Sequence, residues 1–447
     1  MENLTNSAEE VLIDSLSFKL PSSGQYVQDR RSVTFHTEGS NTYSATAGTK
    51  VIRFRLAGDG SWLDPSTFRI MFDVVNADGS PATKRLRPIG KAHAFFRRLR
   101  ISVRGQIIED IDNYNRVSEL FHTLQTSHSR FNDSIEEFGY NYDMSQLTNV
   151  VAHPGIGQAS QTVMFQPLAG IFQQTKYLPL RYAPLEIELE LADVSDPIIT
   201  EFVAEADTTD PPKFKASNTS VAWKIENCMV KVDLCTLDNA LENSYVSHFM
   251  GAKTINIVYN TFISTLQTVV AAETQINVSR SLSKMKSVFV SLDKGFATGT
   301  ERKTFYNKFW NNFWSPNAGT GLTYAVDHNG EKFSHFQLQI GSKLFPEYPI
   351  KTHCEAFYSL RKALGIQANN LHSIDIDGNS YRNNKFIIGI DTEKLLGLSF
   401  TGMNTRNNLM TVHLKTQTVD HQADRMHIIL LAEQILELGD SGSMVYD

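Results

Sequence analysis

The nine residues from Leu185, LEIELELAD, place leucine or isoleucine at every second position as far as Leu191, with Glu186, Glu188 and Glu190 between them. Side chains of a strand alternate between two faces, so this stretch has one apolar face and one acidic face, a separation no helix produces. It demands a sheet with one side on a core and the other wet or interfacial. Comparable runs fill the first half. KVIRFRLAG sets Val51, Phe54 and Leu56 among basic or small residues, FRIMFDVVN follows, and RRLRISVRG aligns Leu99, Ile101 and Val103 on one face. The intervening ADGS reads as a turn, with Asp78 and Gly79 supplying positive φ. VAWKIENCMVKVDL is long enough to cross a whole sheet.

The second half repeats this grammar in TINIVYNTF, MKSVFVSLD, FSHFQLQIG, KFIIGID, NLMTVHLKT and RMHIILLAEQILEL. Helical spacing is rare. DNALENSYVSHFM carries Leu241, Tyr245 and Phe249 at helical intervals behind a capping Asp238, and it reads as a joint between domains. His353 to Leu364 is the strongest helix, with Phe357, Leu360 and Leu364 opposite Arg361 and Lys362.

Order within the two halves agrees. Leu99 to Val103, Gly105, Ile107 and Ile108, then the stripe Val117, Leu120, Phe121 and Leu124 read strand, turn, strand, helix. Leu338 and Ile340, Gly341, Leu344 and Phe345, then Ala356, Phe357 and Leu360 read the same way. A short helix at that point caps the open end of a sandwich, and Pro346 and Pro349 are expected to fix the chain's exit where no ladder continues. A second parallel joins the stretch from Gly170 to that from Gly389, each running from Gly-Ile through a lysine and leucines into an alternating strand. The predicted fold class is all-β: two tandem eight-stranded jelly-roll β-sandwiches with short helical inserts. The boundaries are an N-terminal arm at 1–49, a first jelly roll at 50–237, a linker helix at 238–252 and a second jelly roll at 253–447.

Size agrees with this division, since 447 residues exceed the usual length of one hydrophobic core. A net charge of −6 argues against a protein whose main task is coating nucleic acid. The local exception runs from Lys84 through Arg85, Arg87, Lys91, Arg97, Arg98 and Arg100 to Arg104. It reads either as a polar strand face toward solvent or a neighbouring subunit, or as a genome contact. Cys228, Cys235 and Cys354 are odd in number and lack metal-finger spacing, which predicts reduced core thiols. No apolar run reaches the roughly 18 residues of a membrane helix, and the N-terminus is acidic where a secretory signal is basic, so folding in the cytosol is expected.

No catalytic residue, cofactor site or metal site is nominated. The sequence has no His-Glu-x-x-His, phosphate-binding loop or Gly-x-Ser-x-Gly elbow. His421 and His427 flank a strand start and read as ordinary polar residues. HPGIG at His153 is a turn, and DIDGNS from Asp375 reads as a hairpin turn at Asp377-Gly378 because its glycine falls too early for a calcium loop. The Asn-x-Ser/Thr triplets at Asn3, Asn132, Asn218 and Asn277 are expected to be unused. Long loops are predicted at Ser127 to Gln161, Asp193 to Ser220 and Gly295 to Lys332. Within the last, Phe305, Phe309, Trp310, Phe313 and Trp314 are either buried or anchors for a neighbour.

The order IGSKLFPEYPIKTHCEAFYSLRKAL, FIIGIDTEKL, SFTGMNTRNNLMTVHL and a terminal GSMVYD, together with FRRLRISVRGQIIEDIDNYNRV and YLPLRYAPLEIELEL, resembles double jelly-roll major capsid proteins. It is most similar to those of polinton-like viruses and virophages, and more distantly to those of large eukaryotic double-stranded DNA viruses. The resemblance runs from about Lys50 to Asp447. It implies a homotrimer of pseudo-hexagonal outline in an icosahedral virion shell, made in the host cytoplasm and contacting neighbouring capsomers, penton and minor or cement proteins. It implies no small-molecule substrate. An inner-surface contact with genome or internal membrane is also implied, with Val11, Leu12, Ile13, Leu16 and Phe18 as an amphipathic piece on that side. Glu186, Glu188 and Glu190 are candidates for packing between rolls, against Arg97 to Arg104. The alternative reading is a carbohydrate-binding or polysaccharide-cleaving β-sandwich, which needs a pair of carboxylates in unlike environments. A minor vertex protein of a shell is a third reading, disfavoured because such a protein needs one roll and this chain has two.

Overall fold

The computed structural model of the chain describes residues 26–46, 48–58, 60–88, 90–139, 155–198, 220–269, 273–293, 313, 335–366, 374–383, 385–395, 399–415, 425–439 and 442–446. The first half begins with β1 (Val27–His36), β2 (Thr42–Ser44), β3 (Val51–Leu56), β4 (Ser61–Leu63) and β5 (Arg69–Asn76). The hairpin of β6 (Phe96–Val103) and β7 (Gln106–Ile111) leads to the helices α1 (Tyr114–Thr123) and α2 (Ser127–Asp133). Then come β8 (Gln161–Phe165), the single turn α3 (Gly170–Gln173), β9 (Leu178–Pro179), β10 (Leu185–Leu191) and the 15-residue β11 (Trp223–Leu237).

These strands make two antiparallel sheets. One has the order β8-β5-β11-β4-β9 with β1 and β2 also on β11, and the other has the order β3-β10-β6-β7. The acidic strand β10 lies in the middle of the second sheet, with Leu189 paired to Ile52 on one side and Leu99 on the other. Its leucines are buried against the facing sheet, each worth about 1.5–3 kcal/mol of burial. Aromatic rings join the sheets: Phe72 of β5 meets Phe96 of β6 edge-on, with centroids 5.3 Å apart.

Helix α4 (Asn239–Met250) follows, capped as expected by the Asp238 side chain accepting from the Ala240 amide. Tyr245 packs on Trp62 and Phe249 on Tyr182, at 4.7 and 4.1 Å between rings.

The second half contains β12 (Ile255–Thr268), β13 (Glu273–Val278), β14 (Met285–Asp293), β15 (His335–Ile340) and β16 (Lys343–Ile350). Helices α5 (His353–Ala363) and α6 (Gly378–Asn383) precede β17 (Ile387–Asp391), β18 (Met410–Lys415), β19 (Arg425–Leu438) and β20 (Ser443–Tyr446). Here the sheets are β12-β19-β14-β17, with β20 also on β19, and β13-β18-β15-β16. Taken in chain order, the second roll's eight principal strands pair first with eighth, eighth with third and third with sixth. The other sheet pairs second with seventh, seventh with fourth and fourth with fifth. The first roll has the same pattern in β1-β11-β5-β8 and β3-β10-β6-β7. In both rolls a hairpin feeds a helix, as the repeat predicts: β6-β7-α1 and β15-β16-α5.

Several local expectations need correction. Residues 27–44 are not a free arm: β1 and β2 pair with β11, because an uncovered edge of that long strand offers unpaired backbone groups. Ile52, not Val51, shares the core face with Phe54 and Leu56. Neither Asp78 nor Gly79 has positive φ; the Asp78 carboxylate accepts from the Ser80 amide and closes the turn instead. Pro346 and Pro349 do not mark an exit. They lie inside β16, an edge strand, where a missing N–H costs least. Gly170 and Gly389 are not counterparts, since Gly170 opens α3 and Gly389 sits within β17. Asp377-Gly378 is no hairpin: Asp377 accepts from the Ser380 amide at the start of α6. Ser127 opens α2, capped by Thr126. His153, His421, residues 1–25 and all the candidate aromatics of 305–314 except Phe313 lie outside the described residues; Phe313 is buried beside Lys385 and Phe386.

Candidate functional site

The two rolls meet along a seam built from their edges. The Tyr259 hydroxyl of β12 donates to the Ile108 carbonyl of β7 at 2.9 Å, and Ser443 of β20 donates to the Val103 carbonyl at 3.0 Å. Arg104, at positive φ in the β6–β7 turn, donates to the Gly439 carbonyl at 3.1 Å. Turn α3 presses on β12 so closely that a Cβ at Gly170 would lie 1.5 Å from the Asn260 carbonyl oxygen. Only glycine allows that approach. Phe121 of α1 lies 5.0 Å from Phe262 and 5.2 Å from Phe289 of the second roll. The buried apolar residues of both rolls consequently form one continuous cluster.

Charge is buried at the same seam. Asp293 ends β14 and Arg425 begins β19; antiparallel pairing brings them opposite each other, with Arg425 Nε and Nη2 at 2.8 and 3.0 Å from the two carboxylate oxygens. His427 Nε2 is 2.9 Å from the same carboxylate, and Arg116, reaching over from α1 of the first roll, lies at 3.7 Å. Burial alone would raise the Asp293 pKa, but His427, Arg116 and Arg425 outweigh it and hold the carboxyl well below the usual range. Arg116 also approaches Asp196, so its guanidinium bridges one acid from each roll.

Two further buried groups sit in the first roll. Glu109 of β7 accepts from the Ile171 amide at 2.8 Å, and burial pushes its pKa up to about 8 against the opposing Ile171 and Gly170 amides. Glu119 and His93 are 3.1 Å apart beside His122, whose pKa burial pushes down to about 3. Among the described residues no group of three His, Cys, Asp or Glu side chains is placed to hold a metal ion.

The basic stretch resolves into neutralised pieces. Arg98 makes two 2.7 Å contacts with Asp110, Arg100 lies 3.5 Å from Asp110 and 3.6 Å from Glu188, and Arg53 lies 2.8 Å from Glu188. The anticipated glutamate–arginine pairing is therefore present, but inside one sheet of the first roll, where β10 runs beside β6 and β3, and not between rolls. Arg87 and Lys91 are buried. Sequence reasoning missed Asp293, Arg425, Arg116 and Glu109 and read His427 as an ordinary polar residue, where the structure buries it against Asp293. The available signal was an ionisable residue within or at the end of an otherwise apolar strand, as in VFVSLD and QIIEDI.

Two edges stay uncovered. In β1 every residue from Val27 to Ser32 is exposed, with both faces bare. In β16, Leu344 is 42% and Tyr348 82% exposed.

Strand order, the paired sandwiches and the seam define a double jelly-roll protein. No protein-family model matches the sequence, and no curated protein does. Solved structures do share the fold over nearly the whole chain. PBCV-1 VP54, as fitted into a reconstruction of the virophage Sputnik, aligns at a TM-score of 0.61 and 12% identity, covering 96% of this chain and 99% of that one. The Sputnik virophage structure aligns at 0.61 and 9%, covering 99% and 93%. The Faustovirus major capsid protein aligns at 0.56 and 9%, covering 96% and 92%.

Proposed function

We propose that the chain is a major capsid protein that self-assembles as pseudo-hexameric trimers into an icosahedral virion shell. The observation that carries this reading is the agreement of both rolls and their connection with PBCV-1 VP54 over 96% of this chain and 99% of that one. The seam supports it, because a shell block must keep its two rolls in one fixed relation and a fused core with a bridged ion network does so. Neighbouring capsomers, penton proteins and minor or cement proteins are the partners on this reading, the virion is the location, and the host cytoplasm is the site of synthesis. The inner surface meets genome or membrane.

The polysaccharide-cleaving alternative gains nothing from the geometry. Of the glutamates on the outer face of β10, the half-buried Glu188 is held between two arginines of its own sheet, which is not the environment of a general acid.

Solution mass tests the proposal. Three chains of 50.2 kDa give about 151 kDa, and electron micrographs of the same sample are expected to show hexagonal blocks. A stable single-chain particle at assembly concentrations overturns it.

A further inference from the structure

The intrachain seam is a contact between corresponding positions of a repeat. It joins β7, the fifth principal strand of the first roll, to β12, the first principal strand of the second roll, through Tyr259 and Ile108. Each of these strands has a counterpart in the other roll. The counterpart of β7 is β16, which also closes a hairpin and feeds a helix; the counterpart of β12 is β1, which also flanks the roll's longest strand. Within one chain the two counterparts do not meet each other.

Burial shows what each pair experiences. Covered β12 buries Ile257, Tyr259, Thr261, Phe262 and Ser264, and covered β7 buries Ile108, Glu109 and Ile111. Uncovered β1 is bare on both faces as far as Ser32, and uncovered β16 exposes Lys343, Leu344, Pro346, Glu347 and Tyr348. A sandwich strand with neither face covered, beside an exposed Tyr26 and Val27, is unusual for a surface that meets only water. The side chains of Arg31 on β1 and of Lys343 and Glu347 on β16 have no ion-pair partner among the described residues.

The geometry points to a contact in which β16 of one copy packs on β1 of a second copy, repeating between chains the β7–β12 contact made within each chain. This rests on the capsid reading and names the surface it uses. The occupant of each bare edge is another copy of this chain, because only that copy presents the missing half of the repeat. Since β16 and β1 are different surfaces, the contact is heterologous, and a heterologous contact with the rotation of a six-roll ring closes after three chains. The packing is through side chains, with Tyr348 and Leu344 set against Tyr26 and Val27.

Cross-linking tests it in the full-length chain. In a background of Cys354→Ser, which removes the exposed thiol and keeps the buried Cys228 and Cys235, Val27→Cys and Leu344→Cys are made singly and together. A short bis-maleimide is expected to link the double variant into covalent dimers and trimers and to leave each single variant as separate chains on denaturing gels. Covalent dimers from either single variant would mean a symmetric contact and overturn the inference. So would a double variant that has the mass of three chains yet does not link. A wild-type mass of one chain removes the capsid reading itself, a different failure read in a different measurement. As a second arm, Tyr348→Asp is expected to keep the wild-type melting temperature while its mass falls from three chains to one; an intact trimer overturns the contact.

Discussion

At the scale of single residues, Asp293 is the group on which most depends. Replacing it by asparagine leaves the buried Arg116 and the half-buried Arg425 beside a neutral amide, and the expected loss is about 3 kcal/mol in denaturant unfolding. Its lowered pKa also fixes a direction with acid: stability present above the ordinary aspartate value of 3.8 is lost as pH falls below it. Glu109 acts in the opposite sense. Its folded pKa of about 8 stands above the ordinary glutamate value of 4.5, so the folded chain holds the extra proton between those values. Stability is full below pH 4.5 and declines as pH rises to about 8, by at most about 1.4 kcal/mol per unit. Glu109→Gln is expected to flatten that slope in urea titrations run across the range. Neither residue was legible in sequence, because a lone acid in a strand becomes buried only through what a distant segment lays over it: Ile171 for Glu109 and Arg116 for Asp293.

At the scale of elements, the close approach of α3 to β12 gives the sharpest expectation. Gly170→Ala drives a methyl group into the Asn260 backbone, which cannot yield as a side chain would, and about 3 kcal/mol or more is the expected cost. Helix α5 offers a milder test. Thr352 and Glu355 form a reciprocal capping box at its start, and Thr352→Ala is expected to lower stability by about 1 kcal/mol, read from the melting temperature. Elements were the most legible level. Strands such as β10 and β19 and the helices α4 and α5 follow from a period of 2 or 3.6 that each segment carries within itself. The misreadings fall where local chemistry is compatible with two outcomes. Pro346 and Pro349 suit a chain exit and an edge strand equally, and Asp377-Gly378 suits a hairpin and a helix start.

At the scale of the whole molecule, the repeat announced two rolls, and the strand order confirms it in both. The seam was not announced, since contacts such as Tyr259 with Ile108 and Arg104 with Gly439 join positions 151 and 335 residues apart that share no pattern. One continuous core across that seam predicts one cooperative calorimetric transition for the wild type and two for Gly170→Ala, in which the rolls melt separately. Two transitions in the wild type would show that the rolls are only tethered.

The prolines of β16 have a consequence for crowding. An unshielded margin of sheet ordinarily invites a stranger's backbone to zip onto it. Pro346 and Pro349 remove two amide hydrogens from that margin, so a strand pairing there would find an interrupted row of donors. Contacts through side-chain shape are favoured there over an open-ended ribbon.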